Sequence, residues 1–450
     1  MSSLRKKLIK NIGWEVCGSI ARLLISLVVS ILTARYLGPA NYGLINYVSS
    51  FCGFFSAFCT LGINAILVKE LLDRKEEQGT VLGTTVAMRM TSSILCMIAN
   101  CVLIAVVNPG EKLLLKLAVI HSFSMLFSVF DSIRFWFQAR LETRIPVIAS
   151  TIGYIVLAVY RIFLLATGKS VEWFALATTL DYAIVALVLM LSYRRFNGLK
   201  FRVSATVGKD IFSRSRHFIL AGLMVSLYAQ MDKVMLKSMV DAVSVGIYST
   251  ANSVNGMWTF VVAALIDAAS PIVYQSYNKG REIFKKQLKM LYAGVIFVCV
   301  LAGVFICMLA KPIISILYGE AYYSSIPVLR ILVWSSIFSY LGVAKNIWVV
   351  SEKKNHYLVW FTAIGVGGNL ILNSVLIPLF GATGAAVATV ITQFISSVLV
   401  QLVFPQTREN VIWMMEAFLL RGVLTSDEWQ QMKVRVIGRL KGQHSTHVDD

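Results

Sequence analysis

The chain has 450 residues, 57% of them hydrophobic and only 14% charged, with a formal charge of +19 and a mean hydropathy of +0.72. Soluble domains carry about 25% charged residues, so this balance excludes an ordinary water-soluble fold. Nor does the positive charge point to nucleic acid. The basic residues sit in short loops between apolar runs, where they orient helices and meet anionic head groups.

In chain order, apolar spans are predicted at 12–34, 44–68, 81–107, 113–137, 145–167, 171–193, 217–239, 245–276, 291–318, 326–350, 357–380 and 382–404. Each holds roughly 20 residues of helix, enough to cross ~30 Å of hydrocarbon. The first run is too long for a signal peptide and lacks an A-x-A-like cleavage site, so it is read as an uncleaved helix. Lysine and arginine fill alternate loops: Arg5 to Lys10, Lys69 to Lys75, Arg140 to Arg144, 194–216, Lys279 to Lys289, Lys353 and Lys354, and the tail. The intervening loops hold only Arg35, Lys112, Lys169, Lys237 and Lys311. The positive-inside rule then places both termini in the cytoplasm. The chain reads as an all-α integral membrane protein with twelve transmembrane helices.

Catalytic and metal chemistry find no foothold. The seven cysteines lie in or beside apolar spans without a CxxC pair, and the five histidines form no ligand-spaced cluster. GxSxG, HExxH and GxxxxGK[ST] are absent. Neither an enzyme nor a cofactor is predicted.

An internal repeat divides the spans into two sets of six. Tyr42-Gly43 matches Val245-Gly246, Glu111 matches Glu320, Trp136 matches Trp348, and Gly168 matches Gly381, in that order. Six spans is an even number, so both halves enter the membrane in the same direction, as parallel repeats related by an axis along the membrane normal. The predicted domains are a six-helix lobe over 1–203, a second over 204–405, and a cytoplasmic tail over 406–450. The basic run 194–216 is the expected linker, and 411–420, too short to span, is expected to lie at the interface.

Two helical lobes suggest alternating access about a site between them. A charge at mid-bilayer costs roughly 2.5–3.5 kcal/mol on insertion scales, so embedded ions should face a wet cavity or each other. The cations so singled out are Arg22, Arg89, Arg161 and Lys233, and the acids, candidates for ion coupling, are Asp181, Asp232 and Asp267. Arg134 and Lys345 lie near the cytoplasmic span ends, Lys116 and Arg330 near the outer ends, and all four are expected to snorkel. Asp131, one turn from Arg134, is expected to pair with it. Ser19, Arg22, Ser26, Ser30 and Thr33 share one helix face, as do Ser226, Gln230, Lys233 and Lys237. The stripes coincide to within a residue under the repeat. Cationic faces imply an anionic cargo such as a diphosphate or an acidic sugar.

Ala34-Arg35-Tyr36-Leu37-Gly38-Pro39-Ala40-Asn41-Tyr42-Gly43 resembles the signature of bacterial polysaccharide flippases. These are the O-antigen and capsule-repeat transporters of the multidrug/oligosaccharidyl-lipid/polysaccharide superfamily. Gln230 to Leu236, Leu317 to Tyr322 and Gly381 to Ala386 are similar to its other patches, and the resemblance covers about 10–405. It implies a MATE-like, two-lobed helical fold with a V-shaped central cavity, in the bacterial inner membrane. It implies flipping of an undecaprenyl-diphosphate-linked oligosaccharide to the periplasmic leaflet for lipopolysaccharide or capsule assembly, with polymerase and other assembly proteins as partners. Of the cavity cations only Lys233 falls in a motif that the family shares; Arg22, Arg89 and Asp181 rest on depth. Coupling to H+ or Na+ stays open. Two other readings also stay open: a cation-coupled multidrug exporter of the same fold, and a membrane glycosyltransferase or polymerase. The first would rely on embedded acids, and the second would need a large outer loop that this chain lacks.

Overall fold

A computed structural model describes the backbone of residues 2–421 and the side chains of residues 25–421. The described residues are helical, with no strand among them. The first elements are α1 (Ser2–Thr60), α2 (Leu67–Asp73), α3 (Gln78–Val107) and α4 (Lys112–Ser128). Next come α5 (Ser132–Ala139), α6 (Arg144–Ala166), α7 (Val171–Arg195) and α8 (Ala205–Met239). α9 (Ala242–Trp258), α10 (Phe260–Tyr277), α11 (Arg281–Leu317) and α12 (Ser325–Leu332) follow. The last are α13 (Ser335–Ser351), α14 (Tyr357–Phe394), α15 (Val400–Val403) and α16 (Arg408–Phe418).

Among the described residues, ten helical stretches are long and apolar enough to cross a membrane. Two of these each contain two predicted spans. α1 leaves helical geometry at Gly38 (φ 67°, ψ 171°) and α14 at Gly381 (φ 56°, ψ −133°), and each helix resumes at once. Divided there, the stretches give the twelve predicted segments of a multi-pass membrane protein. A loop expected at 35–43 is therefore a single-residue turn. Nothing lies within 4 Å of a Cβ built on Gly38, so its left-handed φ, rather than space, demands glycine. Pro39 then opens the second segment with a φ already suited to helix.

The basic run 194–216 is less of a loop than its charge implied. α8 begins at Ala205, capped by Ser204, whose Oγ accepts from the Val207 N–H at 3.4 Å. The remaining strap lies on α3: Arg202 N donates to the Gly79 carbonyl at 3.3 Å and Ser204 N to Thr84 Oγ1 at 3.0 Å. Gly79 and Gly83 make room for it, since a Cβ on either would stand 2.4 Å from a strap carbonyl oxygen. Four charges then tie α2 to α8. Buried Glu70 pairs with Arg74 and Arg214, and Asp210 pairs with the same two arginines.

The chain packs as two units. The first comprises Met1–Met257, Leu309–Ile331 and Val366–Ala388, and the second Trp258–Met308, Leu332–Gly365 and Thr389–Asp450. One core of the first unit gathers Leu67, Leu71, Leu82, Ile133, Trp136 and Phe137. That of the second gathers Phe284, Tyr292, Leu341, Trp348, Val411 and Trp413.

Repeat-related positions share local geometry. Trp136 and Trp348 are both fully buried, each beneath a cation just past its helix, Arg140 at 3.8 Å and Lys354 at 4.4 Å from the ring centre. Leu141 and Lys353, 212 residues apart, are both left-handed (φ 57° and 55°). Gly110 and Gly319 match likewise (both φ 85°), as do Gly168 and Gly381 (φ 64° and 56°). Gly43 and Gly246 go further and touch. A Cβ on Gly43 would stand 2.9 Å from the Gly246 nitrogen and 1.8 Å from the Ala242 oxygen, and one on Gly246 would stand 2.1 Å from the Pro39 oxygen.

Candidate functional site

Arg89 lies eleven residues into α3, about 17 Å along its axis, and is 2% exposed. Among the described residues, neutral groups alone hold its guanidinium. Nη1 donates to Ser132 Oγ at 2.7 Å and Asn64 Oδ1 at 3.3 Å, and Nη2 to the Ser128 carbonyl at 3.2 Å. Its Nε has no partner. The residue borders a cavity of about 350 Å³ within the first unit, walled by Asn64, His121, Ser128, Asp131, Tyr182 and Gln230 among others. Asp131 is the only acid in that wall. It pairs with Arg134 at 2.9 Å, as its spacing predicted, and both are partly exposed. A buried guanidinium with no described carboxylate within 4 Å is costly to hold in a medium of low dielectric. An oxyanion entering the cavity would relieve that penalty and meet a charge-assisted donor.

A second cavity, about 270 Å³, adjoins α6 and α7 and is bordered by Asp131, Arg134, Ser150, Tyr154 and Asp181. Asp181 Oδ1 is buried and has no hydrogen-bond partner among the described residues. The side chain is pressed against Gly153, where a Cβ would lie 3.0 Å from Oδ1. Arg161 also has a buried, unpartnered Nε.

The other expected residues are dispersed. The Arg22 side chain lies outside the described residues. Lys233 is half-buried and, among the described residues, reaches Gln230 Oε1 alone, at 3.5 Å; Gln230 itself borders the Arg89 cavity. Asp232 points elsewhere and is buried: Oδ1 accepts from Asn369 at 3.2 Å and Asn373 at 2.7 Å, and Oδ2 from the Tyr248 hydroxyl at 2.6 Å. Asp267 is exposed on α10 in the second unit. The polar stripe of α8 does share one face, which packs on the second segment of α1. Ser226 bonds Ser56 at 3.2 Å, and a Cβ on Gly53 would meet Gln230 at 2.9 Å.

One expectation fails outright. Lys345 does not snorkel: it is 4% exposed, donates to the Ser396 carbonyl at 3.1 Å and lies 4.4 Å from the Phe361 ring centre. A π-helical turn over Ile395–Leu399 shifts the backbone register at that carbonyl, and the lysine is retained inside the second unit.

His121 and Asn64, both in the cavity wall, went unnoticed in the sequence, since a lone histidine or asparagine carries no spacing. Asn369 and Asn373 did carry one. Two amides four residues apart in an apolar helix share a face and need a polar partner.

A model of the family described as polysaccharide biosynthesis protein matches residues 8–277. The capsular polysaccharide biosynthesis protein CapF of Staphylococcus aureus is 19% identical over 403 residues, covering 86% of this chain and 97% of CapF. Two solved structures share the fold. One is the inward-facing conformation of a multidrug resistance MATE family transporter of the MOP superfamily (TM-score 0.67, 15% identity, 88% of this chain and 96% of that one). The other is the lipid II flippase MurJ in its inward closed conformation (TM-score 0.66, 17% identity, 94% and 96%).

Proposed function

Because the chain belongs to the polysaccharide biosynthesis protein family, we propose that it is a flippase for a lipid-linked glycan. It carries an undecaprenyl-diphosphate-linked repeat unit from the cytoplasmic to the periplasmic leaflet of a bacterial inner membrane, for capsule or O-antigen assembly. Both termini are cytoplasmic, and the residue sets 1–203 and 204–405 alternate in exposing the cargo. The protein moves its cargo without chemistry and works beside a polymerase and other assembly proteins.

The observation that carries this reading is the buried guanidinium of Arg89 beside a hydroxyl- and amide-lined cavity. Neutral hydroxyls suit a glycan, and an unpaired cation suits its acidic groups or the diphosphate. Arg161, Lys233 and Arg22 are assigned to the same task, and Asp181, Asp232 and Asp267 to coupling with H+ or Na+. Deleting the gene is expected to leave a lipid-linked oligosaccharide on the cytoplasmic leaflet, identified by mass spectrometry of extracted lipids. If none accumulates, the reading fails and drug export becomes the better account. Arg22→Ala and Lys233→Ala are each expected to lower surface polysaccharide at unchanged protein abundance.

A further inference from the structure

Where the short, basic-poor turns lie, each repeat half reaches across to the other with a cation from the end of its first helix. Lys237, closing α8, places Nζ 2.7 Å from Glu111 Oε1 and 3.4 Å from Asn108 Oδ1, in the turn between α3 and α4. In the other direction Arg35, just before the Gly38 turn, donates to the Ile316 carbonyl at 3.3 Å, at the end of α11. Beside it the Tyr322 hydroxyl donates to the Ala34 carbonyl at 2.8 Å. Under the repeat, Lys237 falls one residue from Arg35, and Glu111 falls on Glu320 in the turn that follows Ile316. All these residues belong to the first unit.

We infer that these crossed contacts are a two-armed latch that holds this face shut, with Lys237–Glu111 as the arm that sets how firmly it closes. The halves cannot part here without breaking both arms. The ion pair and the exposed Arg35 bond suit repeated opening, because water can replace them, whereas the Tyr322–Ala34 bond is buried and anchors the second arm. Glu111 is 44% exposed and Lys237 12%, so water already reaches the pair. The role in transport rests on the alternating-access reading; the latch itself is testable without it.

Thr250, buried in α9 behind this face, serves as a reporter when changed to cysteine. Its labelling by a membrane-impermeant maleimide, in excess of the parent, is expected to rise about fivefold with Lys237→Glu or Glu111→Lys, the effect of losing one such pair. The double exchange is expected to return to the parent rate. Unchanged labelling in both single variants, or a double variant no closer to the parent than the singles, overturns the latch. As a second arm, Lys237→Cys with Glu111→Cys is joined by a short bifunctional thiosulfonate. Labelling of the Thr250 reporter should then fall below the parent rate and should recover on reduction; unchanged labelling of cross-linked protein overturns the proposal. Labelling does not depend on the cargo. A gene deletion that accumulates no glycan, alongside labelling that responds as expected, removes the flippase reading and leaves the latch.

Discussion

Arg89 Nη1 donates to Ser132 Oγ at 2.7 Å, while the one acid in the same cavity wall, Asp131, is paired with Arg134 instead. The protein therefore carries a buried cation that no described residue neutralises by direct contact. Removing such a group breaks three hydrogen bonds but no ion pair among the described residues, so Arg89→Ala is compared with the parent at matched amounts of folded protein. Export of surface polysaccharide should fall about tenfold or more, the worth of a charge-assisted hydrogen bond. Arg89→Lys, which keeps charge but not the fork, should fall between. Normal export by Arg89→Ala would reduce this residue to a tie between α3 and α5.

Asp232 presents the opposite case, since three buried donors converge on it. Asp232→Ala takes the shared acceptor away from two buried amides and a buried hydroxyl, and each buried donor left unsatisfied costs about 1–3 kcal/mol. Its thermal midpoint in detergent should drop and its membrane abundance should fall. An unchanged midpoint would show that the carboxylate does not organise this packing.

Gly43→Val and Gly246→Val each drive a side chain into backbone closer than 3 Å. Neither a carbonyl nor a peptide nitrogen can step aside as a side-chain tip does, so overpacking of about 1–3 kcal/mol or more is expected. Size-exclusion profiles after heating would register it as earlier loss of the monodisperse peak. Profiles that match the unaltered protein would disprove the close approach.

α16 gives a pH dependence. Its Glu416 accepts from Lys289 Nζ at 2.7 Å and lies 3.7 Å from Lys285. The hydrogen bond from Lys289 holds the Glu416 carboxyl below the usual carboxylate range. A depressed folded value means that its contribution is present above the ordinary pKa of about 4.5 and is lost as pH falls through the folded value. Amide exchange in α16 should accelerate on acidification below that range, and less so in Glu416→Gln. Equal acid sensitivity in both proteins would dismiss the pair.

Much of the architecture was legible because hydrocarbon imposes a length and a charge rule on every span. Repeat pairs such as Trp136 and Trp348 stood out for the same reason, each ending a span at a charged turn. Legibility ended where partners lie far apart in sequence. Depth singled out Arg89 and Asp232 alike, yet among the described residues one is held by neutral groups and the other accepts from amides some 140 residues away. Lys345 misled because position along a helix says nothing about a π-turn on a neighbouring one. The extent of α8 was hidden too, since charge masked a helix that begins well before its apolar part.

The touching glycines limit how these segments can pack. α9 crosses the second segment of α1 backbone against backbone at Gly43 and Gly246, and the crossing exists only while both positions stay bare.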